Sequence, residues 1–141
     1  MSDIAECISF LTSVAAKAMS RLARDALAPH GITPSQYAVM RGLYERSGQT
    51  GAELSATLVI DSATLTGVLD RLERADLLAR RPDGEDRRVN RLELTEKGRA
   101  LMPDLDAAID RVNEEADRRM GAEAGTLRAA LKNLARQKSE D

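Results

Sequence analysis

Apolar residues recur at spacings of three and four from the start of the chain: Ile4, Ile8, Leu11, Ala15, Ala18, Leu22 and Ala26. That is the period of one helix face. The spacing predicts a helix to about Ala28, ended by Pro29, His30 and Gly31. A second helix is expected from near Ser35, carrying Val39, Met40 and Leu43 inward and stopping before Ser47 and Gly48. A short third, Gly51 to Leu58, turns Leu54 and Leu58 inward, and Asp61 or Ser62 then caps a fourth reaching about Asp76. From Leu78 the period shortens. Leu78 to Arg81 and Arg87 to Leu94 read as two strands around the polar tip Pro82-Asp83-Gly84-Glu85-Asp86. Thr95 caps a long helix with the stripe Leu101, Leu105, Ala108, Ile109, Val112, Ala116 and Met120 to about Arg119, with a bend expected at Pro103. A last helix, Glu123 to about Lys138, shows Leu127, Leu131 and Leu134.

Helix, short helix, tight turn, helix and hairpin is the order of a winged helix-turn-helix. The expected fold class is mainly α with a two-stranded β-hairpin wing and flanking dimerisation helices. A plain helical bundle with an incidental hairpin is the alternative. At roughly 100° per residue, Leu65, Val68, Leu69 and Leu72 of the fourth helix share one side, with Ala63, Gly67, Asp70 and Arg74 opposite and Thr64, Thr66 and Arg71 on the flanks. Short side chains let a backbone approach a groove floor, and Ser62, Thr64 and Thr66 can donate to phosphates or base edges. An ordinary solvated face is the competing reading. In the hairpin, Arg87 and Arg88 suit a narrow minor groove, and Asp86 beside them is read as orienting an arginine. A surface ion pair of little consequence is the other possibility there.

Charge sharpens this picture. The net charge of −2 argues weakly against a nucleic-acid binder, yet residues 71 to 91 hold seven arginines against five acids, while 103 to 125 hold three against seven. One end attracts phosphate and the other repels it. With 141 residues, one domain is expected. Aromatic residues are 2% of the chain, which leaves little for a base-stacking surface on single strands. One cysteine, Cys7, and one histidine, His30, leave no internal disulfide or cysteine-built zinc site. No cofactor is expected, and no constellation points to an enzyme. No apolar run approaches the roughly 20 residues of a membrane span, so a cytoplasmic location without membrane contact is expected.

Six stretches carry a family resemblance: Ile32-Thr33-Pro34-Ser35-Gln36-Tyr37, Ala52-Glu53-Leu54-Ser55, Asp61-Ser62-Ala63-Thr64-Leu65-Thr66 leading into Asp70-Arg71-Leu72-Glu73, Leu77-Leu78-Ala79-Arg80-Arg81, Asp86-Arg87-Arg88-Val89-Asn90, and Leu94-Thr95-Glu96-Lys97-Gly98-Arg99. In order and spacing the chain resembles the multiple-antibiotic-resistance-regulator (MarR) family of transcription factors. The resemblance implies a single subunit over 1–141, with a DNA-binding lobe at 30–100 and dimerisation helices at 1–29 and 101–141. It implies a homodimer that binds a pseudo-palindromic double-stranded operator and represses until a small aromatic or phenolic effector loosens it. The recognition positions map to Ser62, Ala63, Thr64, Thr66 and Gly67, with Arg71 beside them, and the wing positions to Asp86, Arg87 and Arg88. Many relatives carry arginine where this chain has Gly67.

The resemblance further implies an effector site between the first, second and fifth helices, near Leu11, Tyr37, Met40 and Arg41, with His30 at its edge. Tyr37 and Arg41 are four residues apart and share a helix face. Two other functions stay open: a one-cysteine redox regulator using Cys7, and a helical interaction protein that binds no DNA. No tyrosine precedes Tyr37 to partner Cys7, so the cysteine is read first as a small apolar helix residue.

Overall fold

A computed structural model of the chain describes residues 3–136. The long first helix divides. Ile4–Glu6 form a 3₁₀ turn capped by Asp3, Cys7 is extended, and α1 runs Ile8–Leu27. A second 3₁₀ turn, Ala28–His30, ends at Gly31 with φ +69°. Helix α2 (Pro34–Glu45) opens on a capping box: Thr33 accepts from the Gln36 N–H at 3.2 Å, and Gln36 accepts from the Thr33 N–H at 2.8 Å. Thr50 and Glu53 repeat the device at α3 (Gly51–Leu58), and Asp61 caps α4 (Ser62–Arg74).

Helix α4 stops two residues short of its expected end. Asp76 adopts φ +59°, and the Leu77 N–H turns back to the Leu72 carbonyl at 3.0 Å, a left-handed stop that the sequence marks without glycine. Strands β1 (Leu78–Pro82) and β2 (Asn90–Leu94) pair antiparallel with Leu78 opposite Leu94. The second strand is therefore shorter than expected, and Arg87 and Arg88 lie in the turn. The cause is local: the Asp86 carboxylate accepts the Arg88 N–H at 3.0 Å, and the Val89 N–H bonds the Asp86 carbonyl at 3.0 Å, diverting the backbone from the ladder. Gln49 bridges to Leu92 along the other edge of β2. Helix α5 (Glu96–Met120) continues unbroken through Pro103, and α6 (Ala124–Ala135) follows a 3₁₀ turn. The expected extension of the last helix to Lys138 lies outside the described residues.

Leu27, Val39, Met40, Leu43, Leu54, Leu72, Leu92, Met102 and Leu105 are fully buried and form one core joining lobe, wing and the first half of α5. The predicted inward face of α4, Leu65, Val68, Leu69 and Leu72, is buried as a set. The entry of α5 is fixed tightly. The Thr95 N–H bonds the Leu77 carbonyl at 3.1 Å, its hydroxyl donates to the Asp76 carbonyl at 2.7 Å, and Lys97 Nζ reaches the Ala75 carbonyl at 3.0 Å. Gly98 is buried there because a Cβ would lie 2.3 Å from the Leu77 carbonyl oxygen. Among the described residues no single helix is long and apolar enough to cross a membrane.

Candidate nucleic-acid interface

The recognition-helix candidates lie together at the start of α4. Ser62, Ala63, Thr64 and Thr66 are exposed, and Gly67 is half-buried with nothing within 4 Å of the place a Cβ would take. Their hydroxyls are less free than sequence suggests. Thr64 Oγ1 donates to Asp61 Oδ2 at 2.7 Å, and Thr66 Oγ1 donates to the Ser62 carbonyl at 2.8 Å. Both protons are used within the helix, so each threonine retains acceptor lone pairs rather than the donor expected. The Thr64 N–H also bonds Asp61 at 2.8 Å, and these bonds hold the Asp61 carboxyl below its ordinary pKa, the backbone one contributing most.

The wing arranges its arginine as the Asp86 reading expects. Arg88 Nε donates to Asp86 Oδ1 at 3.1 Å and Nη2 to Oδ2 at 3.2 Å, a two-pronged grip on a guanidinium that is 91% exposed. The Arg88 side chain, then its N–H, hold the Asp86 carboxyl below its usual range. The tip is braced from beneath: Arg91 Nε donates to Asp83 Oδ1 at 3.3 Å, and the Asp86 N–H to Asp83 Oδ2 at 3.3 Å. Arg80, on β1, pairs with Asp70 of α4, tying wing to recognition helix. Arg71, Arg74 and Arg87 are exposed and make no ion pair among the described residues. Exposed cationic charge thus lies at the far end of α4 and in the wing, the kind of charge that a phosphate backbone attracts.

The effector-site candidates divide. Tyr37 and Arg41 converge on one carboxylate that sequence reasoning missed: Tyr37 Oη donates to Asp106 Oδ1 at 2.9 Å, and Arg41 Nη1 to Asp106 Oδ2 at 2.9 Å. Arg41 Nε also donates to Glu45 at 3.1 Å, and the guanidinium lies 5.6 Å from the Tyr44 ring centre. Burial, then the bond to Asp106, pushes the Tyr37 hydroxyl up to about 12. Met40 is fully buried in the core, His30 ends its 3₁₀ turn half-buried, and Leu11 lies in a different place, an apolar groove between α1 and α6. The signal for Asp106 was an acid set beside the stripe Leu101, Leu105 and Ile109. Cys7 precedes α1, with Sγ 3.3 Å from Ser9 Oγ. That contact, then the N–H groups of Phe10 and Ser9, lower its thiol pKa.

These features define a winged helix-turn-helix, and comparison with known proteins places it. The MarR family model matches residues 32–89. The HTH-type transcriptional regulator TtmR of Methylorubrum extorquens (strain PA1) is 35% identical over 133 residues, 94% of this chain and 66% of TtmR. YsmB of Bacillus subtilis (strain 168), also an HTH-type transcriptional regulator, is 30% identical over 105 residues, 74% of this chain and 69% of YsmB. The chain thus spans slightly less than two thirds of TtmR's length. The transcriptional repressor CouR, in its structure bound to a 23-mer DNA duplex, superposes with a TM-score of 0.89 at 27% identity, covering 96% of this chain and 97% of CouR. The chain belongs to the MarR family of transcriptional regulators.

Proposed function

We propose that the chain is a ligand-responsive repressor that binds a pseudo-palindromic DNA duplex as a homodimer. The observation that carries this is the Asp86–Arg88 grip at the exposed wing tip, together with a recognition helix that opens on the exposed Ser62, Ala63 and Thr64. An arginine held by both prongs keeps its charge outward and loses little freedom on entering a minor groove. CouR, solved on DNA, supports the same use of the fold. In this reading residues 30–100 are the DNA-binding lobe, and residues 1–29 and 101–141 form the dimer layer. Exposed Ile8, Leu11, Leu127, Leu131 and Leu134 along the α1–α6 groove are the apolar surface a second copy covers. Two recognition helices must then lie about 34 Å apart, one turn of DNA. An effector with a carboxylate competes with Asp106 for Tyr37 and Arg41 and thereby alters that spacing.

The test begins by selecting duplexes from a random pool with the purified protein. Affinity for the selected duplex and for random DNA is then measured at several salt concentrations for wild type, Arg88→Ala, Asp86→Ala and Thr66→Val. Arg88→Ala weakens both duplexes and flattens the salt dependence by about one counterion per subunit. Asp86→Ala reproduces part of that loss while leaving the charge in place. Thr66→Val costs the selected duplex about 1 kcal/mol more than random DNA. Unchanged binding in Arg88→Ala removes the wing from the mechanism. Aromatic carboxylates titrated against the complex test the effector, and a broad panel that releases no DNA refutes it.

A further inference from the structure

The turn between α3 and α4 contains a residue that its own fold does not use. Val59 has φ 53° and ψ 47°, which puts a β-branched side chain in the left-handed region where its Cβ crowds the next carbonyl. The turn requires that conformation, since the N–H groups of both Val59 and Ile60 fold back onto the Ser55 carbonyl. Glycine satisfies such a position without strain. Valine here gains little packing in exchange, for at 79% exposed it is the most solvent-accessible of the large apolar residues described. Strain that packing within the subunit does not offset points to a contact outside it.

Location narrows what that contact is. Val59 lies three residues before Ser62, on the segment that leads into the exposed first turn of α4. The one acid between them, Asp61, is folded onto Thr64, which ties its carboxylate to the start of α4. On the edge of a duplex read from the major groove, the apolar feature of matching size is the thymine 5-methyl. We propose that Val59 is a specificity-determining contact, its isopropyl group packing on a thymine methyl at the margin of the groove that α4 enters. This rests on the DNA-binding reading above and adds to it a base preference outside the recognition helix.

The experiment uses the full chain and the duplex it selects, with each thymine replaced singly by deoxyuridine, which removes only the methyl. Wild type should lose about fourfold in affinity per half-site at one symmetry-related pair of positions, the size of one methyl taken from an apolar contact. Val59→Gly should lose affinity for the thymine duplex by a similar factor and be indifferent to deoxyuridine at that pair. It should also melt a few degrees higher than wild type, relief of strain showing that the fold is intact. Val59→Asn, which tolerates the left-handed turn, should match it in DNA binding. The proposal is overturned if Val59→Gly binds as tightly as wild type, or if it binds less tightly yet keeps every deoxyuridine penalty. Arg88→Ala separates the two readings. A wild type that selects no duplex and is indifferent to Arg88→Ala sinks DNA binding itself, whereas loss in Arg88→Ala with no effect at Val59 sinks this contact alone.

Discussion

Replacing Gly98 by alanine adds one methyl group at the closest backbone approach found at any glycine of the chain. The new Cβ would lie 2.3 Å from the Leu77 carbonyl oxygen, 3.2 Å from its carbon and 3.4 Å from Leu77 Cα. That oxygen is roughly 1 Å inside ordinary contact, and no flexible side chain is available to move aside. Either α5 or the Leu77 peptide must retreat, and both are held. Leu77 O accepts the Thr95 N–H at 3.1 Å, while Thr95 Oγ1 accepts the Gly98 N–H at 3.0 Å. Overpacking costs about 1–3 kcal/mol and each weakened hydrogen bond about 1, against a gain of about 1 from alanine's helix propensity. The net expectation is a loss of about 2–4 kcal/mol, or a fall in Tm of roughly 6–12 °C for a chain of this size. Thermal unfolding at fixed protein concentration measures it, since the proposed dimerisation would make Tm depend on concentration. Gly67→Ala is the matched control. It lies mid-helix in α4 with nothing within 4 Å of its Cβ position, so the same change there should stabilise by about 0.5–1 kcal/mol. A Gly98→Ala protein that melts at or above wild type refutes the close approach.

Two further expectations concern the ends of the molecule and the α2–α5 tie. Ile8→Glu combined with Leu131→Glu places two charges on the α1–α6 groove and should yield a monomer in sedimentation, and a persisting dimer disproves that interface. In a Tyr44→Phe background, absorbance titration should show Tyr37 ionising near 12. Asp106→Asn should move it down but not back to the ordinary value of 10, because burial, the larger cause, remains. A folded-state pKa above the unfolded one means this tyrosine's contribution to stability is whole below pH 10 and is lost as the pH rises to about 12. Titration near 10 in both proteins contradicts the contact.

The sequence displayed what periodicity and caps can encode. Asp61 and Thr95 each announce a helix start by a side chain that accepts an early N–H, and each does so in the structure, as Thr33 and Thr50 also do at α2 and α3. The buried face of α4 followed directly from its wheel. Less legible were features set by backbone geometry or by distant partners. Asp76 and Val59 take left-handed conformations that composition assigns to glycine, so the end of α4 was placed two residues late and the strain in the turn went unseen. The Asp86 bond to the Arg88 N–H was invisible to an alternation pattern that ran the second strand through both wing arginines. Asp106 joins Tyr37 across 69 residues, a separation at which no local pattern carries information. The same limit applies to the threonine hydroxyls, whose residue type suits DNA while their protons are spent on the helix itself.

Beyond the shared apolar core and the contact of Arg99 with the Tyr44 ring, two hydrogen-bonded ties join the DNA-binding lobe to α5, and they differ in kind. The first, at Leu77, Thr95 and Gly98, is made of backbone contacts without slack. The second, Tyr37 and Arg41 on Asp106, is made of half-exposed polar side chains whose bonds water or a carboxylate can replace. They are eight residues apart on α5, about 12 Å along its axis. A lobe that keeps the first tie and its apolar packing on Met102 and Leu105 but loses the second has one restraint fewer on pivoting about Gly98, so in the proposed dimer the polar tie biases the orientation of α4 relative to the partner lobe. That predicts a selective effect for Asp106→Ala. Averaged over a half-exposed site the stability change is small, about 1 kcal/mol or less. Discrimination among operators should change more. Wild type should reject duplexes with one base pair inserted between half-sites, because insertion both separates the recognition helices by 3.4 Å and rotates them by about 35°. Asp106→Ala, freer to pivot, should tolerate the insertion better while binding the native spacing less tightly. Competition binding across a set of spacer lengths reads both. If Asp106→Ala keeps the wild-type spacer profile, the α2–α5 contact does not set lobe orientation, and an effector acting there has no leverage on the DNA.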